Sequence, residues 1–127
     1  MLKTILMMML LLVVEAPSPE RTVKETASFS WAQQSIDLGE IRLGSKHLLE
    51  FAFTNSSTTP LIIESATASC GCTVASVSRE PILPGESGQV KAEFTAKSTG
   101  EFRKTITLLA NTESGSEILV IVGKVRD

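Results

Sequence analysis

The sequence is poor in the residues that build catalytic or metal sites. Its 127 residues include one histidine, one tryptophan, two cysteines and no tyrosine. A structural zinc site normally takes four ligands, so His47 and the two cysteines alone do not suggest one. Since His47 stands beside Lys46 and near Glu50, we predict a surface residue at the start of a strand rather than a catalytic base.

Motifs that hold phosphates or activate nucleophiles are also missing. The sequence contains no G-x-G-x-x-G, P-loop, H-E-x-x-H or G-x-S-x-G pattern. Lysine and arginine number 12 against 14 aspartates and glutamates, which gives a net charge of −2 without a basic cluster. We therefore predict a protein that is not an enzyme, that holds no cofactor or metal, and that binds neither nucleic acid nor an anionic membrane.

Apolar runs long enough to cross a membrane are absent, and the longest apolar run lies near the start. Residues 5–14 are all apolar and follow the basic Lys3, but a helix that crosses a bilayer needs roughly 17–25 apolar residues. A basic start, a short apolar run and a small residue after it are typical of a secretory signal peptide. We predict a signal peptide over residues 1–16, cleaved after Ala16 although Glu15 and Pro17 depart from an ideal site. An uncleaved anchor or a misassigned start codon are the alternatives.

The remaining sequence divides into a leader and one domain. Residues 17–27, PSPERTVKETA, are polar and aperiodic, and we predict a flexible leader there. From residue 28 to residue 127, short apolar stretches alternate with turn residues, as in an all-β domain. Predicted strands cover residues 28–33, 36–41, 48–54, 61–68, 89–95, 105–110 and 118–122.

Alternation between apolar and polar residues is clearest in two of these strands. Leu49, Phe51 and Phe53 share one face of the first, and Val90, Ala92 and Phe94 share one face of the second. This period of two is typical of a sheet that is wet on one side. By contrast, residues 118–122, ILVIV, are apolar on both faces, which indicates a central or doubly covered strand.

Turn residues between the strands support the same fold class. Residues 55–60, NSSTTP, form a polar loop that ends at Pro60, and Pro84-Gly85 is the pattern of a type II turn. We predict an immunoglobulin-like antiparallel β-sandwich of seven or eight strands.

Both cysteines lie in ASCGCT, residues 68–73, where Gly71 separates Cys70 from Cys72. The immunoglobulin disulfide joins strands that are far apart in sequence, so this pair cannot form it. A local disulfide is a second option, because residues two apart in a strand have Cα atoms roughly 6.4–6.8 Å apart, the upper limit for a bridge. Its closure would need a bend at Gly71.

Two further interpretations of this candidate thiol site, Cys70, Gly71 and Cys72, remain open. If the segment is extended, both sulfurs lie on one face, where they could share a soft metal ion such as Cu(I). Alternatively, the thiols pack against the sandwich as small hydrophobes. The residues themselves leave the choice among packed thiols, a disulfide and metal or thiol chemistry open.

Several strings together resemble family 1573 of the bacterial domains of unknown function. The similar segments are residues 51–55 (FAFTN), 60–63 (PLII), 69–73 (SCGCT), 81–85 (PILPG), 100–102 (GEF), 104–106 (KTI) and 122–123 (VG). The resemblance implies a secreted or periplasmic immunoglobulin-like domain, distantly similar to ASH, Hydin and major sperm protein domains. Those relatives are mostly interaction or scaffold modules, and the family supplies no catalytic residues.

The predicted function is therefore that of an exported protein-binding or structural module in the periplasm or on the outer side of a bacterial envelope. Its expected partner is another envelope or secreted protein, with no membrane contact after signal cleavage. The alternative is a thiol redox or soft-metal-handling protein that uses Cys70 and Cys72.

Overall fold

The computed structural model describes residues 25–71 and 73–127. The predicted signal peptide, most of the leader and Cys72 lie outside these residues. Eight strands make up the fold: β1 (Phe29–Trp31), β2 (Ser35–Arg42), β3 (Lys46–Asn55), β4 (Ile63–Ala68), β5 (Thr73–Val77), β6 (Ser87–Thr95), β7 (Gly100–Ala110) and β8 (Ser116–Arg126). Within this part of the chain there is no helix that could span a membrane.

The strands form two four-stranded sheets, as in the predicted sandwich. The first sheet has the order β1-β3-β6-β5, and the second has the order β2-β8-β7-β4. All pairings are antiparallel except that of β2 with β8, which is parallel. The parallel pair arises because the chain leaves the first sheet after β1 and enters the second sheet beside its last strand.

The predicted inward faces are confirmed in β3 and β6, and Ile106, Leu108 and Ala110 of β7 are buried in the same alternating way. Phe51, Val90 and Ile106 are each 0% exposed at the centre of the core. The core also takes in apolar residues of β4 and β8, and it fills the space between the two sheets. Strand β8 is central in its sheet, as predicted, but Ile118 at its start is 54% exposed.

Several strand boundaries differ from the predictions, most clearly in four strands. Strand β5 was not predicted, β7 begins earlier, at Gly100, and β8 is longer than ILVIV at both ends. Strand β4 begins at Ile63, because Leu61 instead forms an isolated bridge with Ile82. These segments carry polar or mixed residues, and their pairing depends on neighbouring strands rather than on their own pattern.

The Pro84-Gly85 turn has the predicted geometry. The N–H of Glu86 donates to the C=O of Leu83 at 2.9 Å, and Gly85 has a φ of 81°. A positive φ at the third residue defines a type II turn and favours glycine there.

The packed fold reaches into the predicted leader. Ala27 is 2% exposed, and its N–H donates to the C=O of Asn111 at 3.0 Å. Its small side chain belongs to the main core cluster. Residue 27 is thus part of the domain rather than of a flexible segment.

Candidate functional site

The candidate thiol site lies where the chain crosses from β4 in the second sheet to β5 in the first. The N–H of Thr73 donates to the C=O of Cys70 at 3.3 Å, which closes a turn around Gly71. The Sγ of Cys70 lies 3.9 Å from the Oγ1 of Thr73. Cys70 is half-buried and Gly71 is exposed, so the turn stands at the lateral edge of the sandwich.

Cys70 is disulfide-bonded, so a free thiol packed as a small hydrophobe does not describe it. The only other cysteine of the sequence is Cys72, which lies outside the described residues. The turn does not depend on a left-handed glycine, because Gly71 is not among the glycines with a positive φ. A Cβ added at Gly71 would meet no atom within 4 Å.

The structure does not bring His47 to the cysteine turn. His47 is half-buried on β3, and its Nε2 lies 2.9 Å from the Oγ of Ser45. Phe94 on β6 pairs with His47 on one side and with Thr73 on the other, so a whole strand lies between His47 and the cysteine turn. Among residues 25–71 and 73–127, no three His, Cys, Asp or Glu side chains are grouped as metal ligands.

The outer face of the second sheet is divided into two parts with different chemistry. At one end, three cross-strand rows of outward residues carry no charge, and we call the residues of these rows the neutral half-face. Its three cross-strand rows are Ser116-Leu109-Ser65, Ile118-Thr107-Thr67 and Ser35-Val120-Thr105. The exposed Glu64, which has no partner residue where β4 is irregular, borders these rows beside Ser65.

Charged side chains occupy the other end of the same face. Its outward residues are Asp37, Glu40, Arg42, Glu101, Arg103, Val122, Lys124 and Arg126. The signs are mixed, and Arg126 lies 3.5 Å from a carboxylate oxygen of Glu40. Charged residues make up 20% of the sequence, so the sharp boundary across one sheet face is not explained by overall composition.

Two large apolar side chains of the neutral half-face are exposed. Ile118 is 54% exposed and Leu109 is 45% exposed. Sequence reasoning missed this surface, since it requires the register of β7 against β8. The available signal was the absence of charge at alternate positions of 105–109 and 116–120.

The model of a protein family of unknown function, DUF1573, matches residues 29–125. The chain belongs to this family. The match runs from the first residue of β1 to the penultimate residue of β8, so the DUF1573 domain and the sandwich coincide. This confirms the resemblance found in the sequence. No curated protein matches the chain closely enough to count as a relative.

Solved structures with the same fold include bacterial and human domains. A protein of unknown function from Porphyromonas gingivalis W83 has a TM-score of 0.70 and 18% identity, covering 84% of this chain and 50% of that chain. The ASH/PapD-like domain 7 of human CEP192 has a TM-score of 0.66 and 9% identity, covering 91% and 96%. The secreted serine protease VesC from Vibrio cholerae has a TM-score of 0.64 and 16% identity, covering 78% and 23%.

At these identities the similarity establishes the fold. This DUF1573 chain spans about half of the Porphyromonas protein, with 50% coverage, and a smaller part of VesC, with 23%. Comparable sandwiches therefore occur within longer chains. The human ASH domain, by contrast, is matched over almost its whole length, 96%.

Proposed function

We propose that the chain is an exported protein-binding module that packs its neutral half-face against another folded envelope or secreted protein. The observation that carries this proposal is the division of one sheet face into an uncharged part and a charged part. We assign it a binding role rather than a catalytic one.

The neutral half-face is suited to burial because it contains no ionised group. Taking a charged side chain out of water is costly unless it finds a partner, whereas hydroxyl and aliphatic groups are moved at much lower cost. Burial of Ile118 and Leu109 would remove apolar surface from water, which favours association. The mixed charges next to it would form the polar rim that surrounds most protein interfaces.

The neutral half-face determines what kind of partner surface would fit it. It should present an uncharged area with apolar side chains at its centre, since a charge placed against Ile118 would be left unpaired. The Porphyromonas structure, in which the similar sandwich is half of the chain, is an example of this fold beside further sequence of the same protein.

Two observations support the proposed export. Residues 1–16 have the pattern of a signal peptide. Cys70 is disulfide-bonded, and disulfides persist mainly in oxidising compartments outside the cytoplasm. Cell fractionation that leaves the chain reduced and uncleaved in the cytoplasm would contradict this part of the proposal.

Replacing Ile118 with lysine is expected to weaken partner binding by roughly tenfold or more, because the substitution puts a charge at the centre of the neutral half-face. A photo-cross-linking residue at position 118, introduced in living cells, should give one discrete adduct. The partner found in this adduct is then purified, and its affinity for the purified chain is measured. The matched control is Leu83→Lys, since Leu83 is 50% exposed but lies in a loop away from this face. Equal adducts from positions 118 and 83, or unchanged binding by Ile118→Lys, would count against the neutral half-face.

A second candidate function, thiol–disulfide exchange, is favoured by one observation, the disulfide-bonded Cys70 in a half-exposed turn. A bond between Cys70 and Cys72 would close a very small ring. Reduction is then expected to change the free energy of unfolding by no more than about 1–2 kcal/mol, because so short a loop removes little chain entropy. Intact mass with and without reductant identifies the bond, and urea unfolding of both forms measures its contribution. A much larger loss of stability would identify a structural bridge and contradict an exchange function.

A further inference from the structure

One half of β3 has no neighbouring strand on the side that β1 occupies. Strand β1 pairs with β3 only at residues 53–55, and the last hydrogen bond of this pair runs from the N–H of Ala32 to the C=O of Ala52 at 3.0 Å. The chain then crosses to the second sheet. Among the described residues, no strand lies beside residues 46–51 on this side.

The backbone of this open edge is ready for strand pairing. Ala52 directs its carbonyl group toward β1, and directions alternate along a strand. The N–H and C=O groups of Lys46, Leu48 and Glu50 therefore also point to the open side, away from β6. In the described part of the chain, no hydrogen bond reaches the backbone of Leu48 or Glu50 from that side. Such a row of free groups is a template for another strand.

The same three residues present their side chains on the outer face of the first sheet. Leu48 is 77% exposed, the highest value among the large apolar residues of the described chain. Lys46 precedes it by two positions and Glu50 follows it by two. The charges are opposite and equally spaced about Leu48. This Lys-x-Leu-x-Glu edge is therefore complementary to a second copy of the same edge that runs in the opposite direction.

We propose that two copies of the chain associate through this edge, with their β3 strands antiparallel and the two-fold axis at Leu48. Leu48 of one copy then lies opposite Leu48 of the second copy, and each Lys46 lies opposite a Glu50. The paired residues 46–50 would exchange their free N–H and C=O groups in a continuous ladder. The result is an eight-stranded sheet formed from the two first sheets, with an isologous interface.

The existing contacts fit this arrangement. Pairing over residues 46–50 ends before Ala52, so β1 keeps its place. Within one copy, Glu50 lies opposite Lys91 on β6, and the Nζ of Lys46 lies 3.0 Å from a carboxylate oxygen of Glu93. Lys91 and Glu50 of one copy would therefore lie in one row with Lys46 of the second copy, which also contacts its own Glu93 diagonally. Isolated edge charges usually discourage pairing with arbitrary strands, whereas here they select a second copy.

This interface is independent of the proposed function. It uses the edge of the first sheet, and the neutral half-face lies on the outer side of the second sheet. Because it pairs only a few residues of each chain, it is smaller than the ~800 Å² per partner of a stable complex. We expect a weak association, with a dissociation constant on the order of 100 μM to 1 mM.

Charge reversal provides the test, measured by sedimentation equilibrium of the purified, processed chain over a wide concentration range. Lys46→Glu alone and Glu50→Lys alone each place like charges opposite one another twice, and each should weaken association by roughly tenfold. An equimolar mixture of these two variants brings opposite charges together at both positions, so it should form heterodimers at least as readily as the unmodified chain forms dimers. Lys124→Glu, an exposed reversal on the second sheet, is the matched control and should change nothing.

Leu48→Pro tests the backbone ladder separately. Proline removes only an N–H that points to the open edge and not one bonded to β6, so the fold should survive, as thermal unfolding would show. Association of this variant should be lost. The proposal is overturned if the unmodified chain is monomeric at millimolar concentration, if the mixture stays monomeric while the unmodified chain associates, or if folded Leu48→Pro associates normally. Cross-linking at position 118 is measured in the same variants. If it is unchanged while self-association is lost, the proposed function stands independently of the dimer.

Discussion

Phe53→Ala is expected to lower the free energy of unfolding by about 3–5 kcal/mol, the range typical of a buried phenylalanine. Phe53 is 2% exposed, and its ring meets Phe29 and Trp31 edge-on at centroid distances of 4.9 and 5.1 Å. On its other side the ring covers Gly88, where an added Cβ would lie 2.7 Å from the ring.

The loss should be concentrated at β1, which has only 3 residues. Its hold on the sheet depends on Phe29 and Trp31, which stack at 4.7 Å and rest on Phe53. The buried Nε1 of Trp31 has no hydrogen-bond partner among the described residues, so packing alone holds the indole. Trp31 is the only tryptophan, and its fluorescence during urea unfolding therefore reports directly on the release of β1.

Gly88→Ala is the companion variant for this test, because it disturbs the same ring from the opposite side. Crowding a packed core by one methyl group typically costs about 1–3 kcal/mol. Leu83→Ala, at an exposed loop position, should have little effect and serves as the control. A loss below about 1 kcal/mol for Phe53→Ala would show that the aromatic cluster does not hold β1.

Asn55→Ala is expected to cost about 2–4 kcal/mol, since its side chain joins the end of β3 to two loops through hydrogen bonds. Asn55 is 1% exposed. Its Nδ2 donates to the C=O of Thr59 at 2.9 Å and of Ile82 at 2.8 Å. Its Oδ1 accepts from the N–H of Ser57 at 3.0 Å and from the Oγ of Ser57 at 2.6 Å. Chemical denaturation would measure the loss.

Two further variants separate the contributions at Asn55. Asn55→Asp keeps an acceptor but replaces both donated bonds with a buried charge, so it should destabilise at least as much as alanine. Asn111→Ala is the matched control. Asn111 also makes two loop contacts, since its Nδ2 donates to the C=O of Pro60 and its Oδ1 accepts from the N–H of Ile62, but it is only half-buried. It should cost only about 1 kcal/mol. Equal losses at the two asparagines would contradict a special role for burial.

The inner faces of the sandwich were predictable from sequence because burial imposes a period of two. Phe51 and Val90 belong to strands whose predicted inward positions are all apolar, and both are buried as predicted. The Pro84-Gly85 turn was predictable for a local reason, since proline fixes one φ and glycine allows the next. In these cases the residue itself carries the physical cause of the structure.

Features set by strand register were not predictable in the same way. Asn55 looked like the first residue of a polar loop, and only the fold places Ile82 beside its amide. Likewise, Ile118 and Leu109 become one surface because β7 and β8 pair with a particular offset. The open edge of β3 depends on where the chain leaves β1. The sequence pattern of residues 32–34 does not show that β1 ends there. At the thiol site, the sequence allowed a disulfide without deciding for it.

The parallel pairing of β2 with β8 has a consequence for the order in which the molecule is completed. Ser35 pairs with Val120, and β8 lies between β2 and β7. A chain emerging from the ribosome can assemble its first sheet early, but its second sheet lacks an inner member until the final segment arrives. Such long-range closure is slow, so we expect the second sheet to close only after β8 has become available, well after the strands of the first sheet.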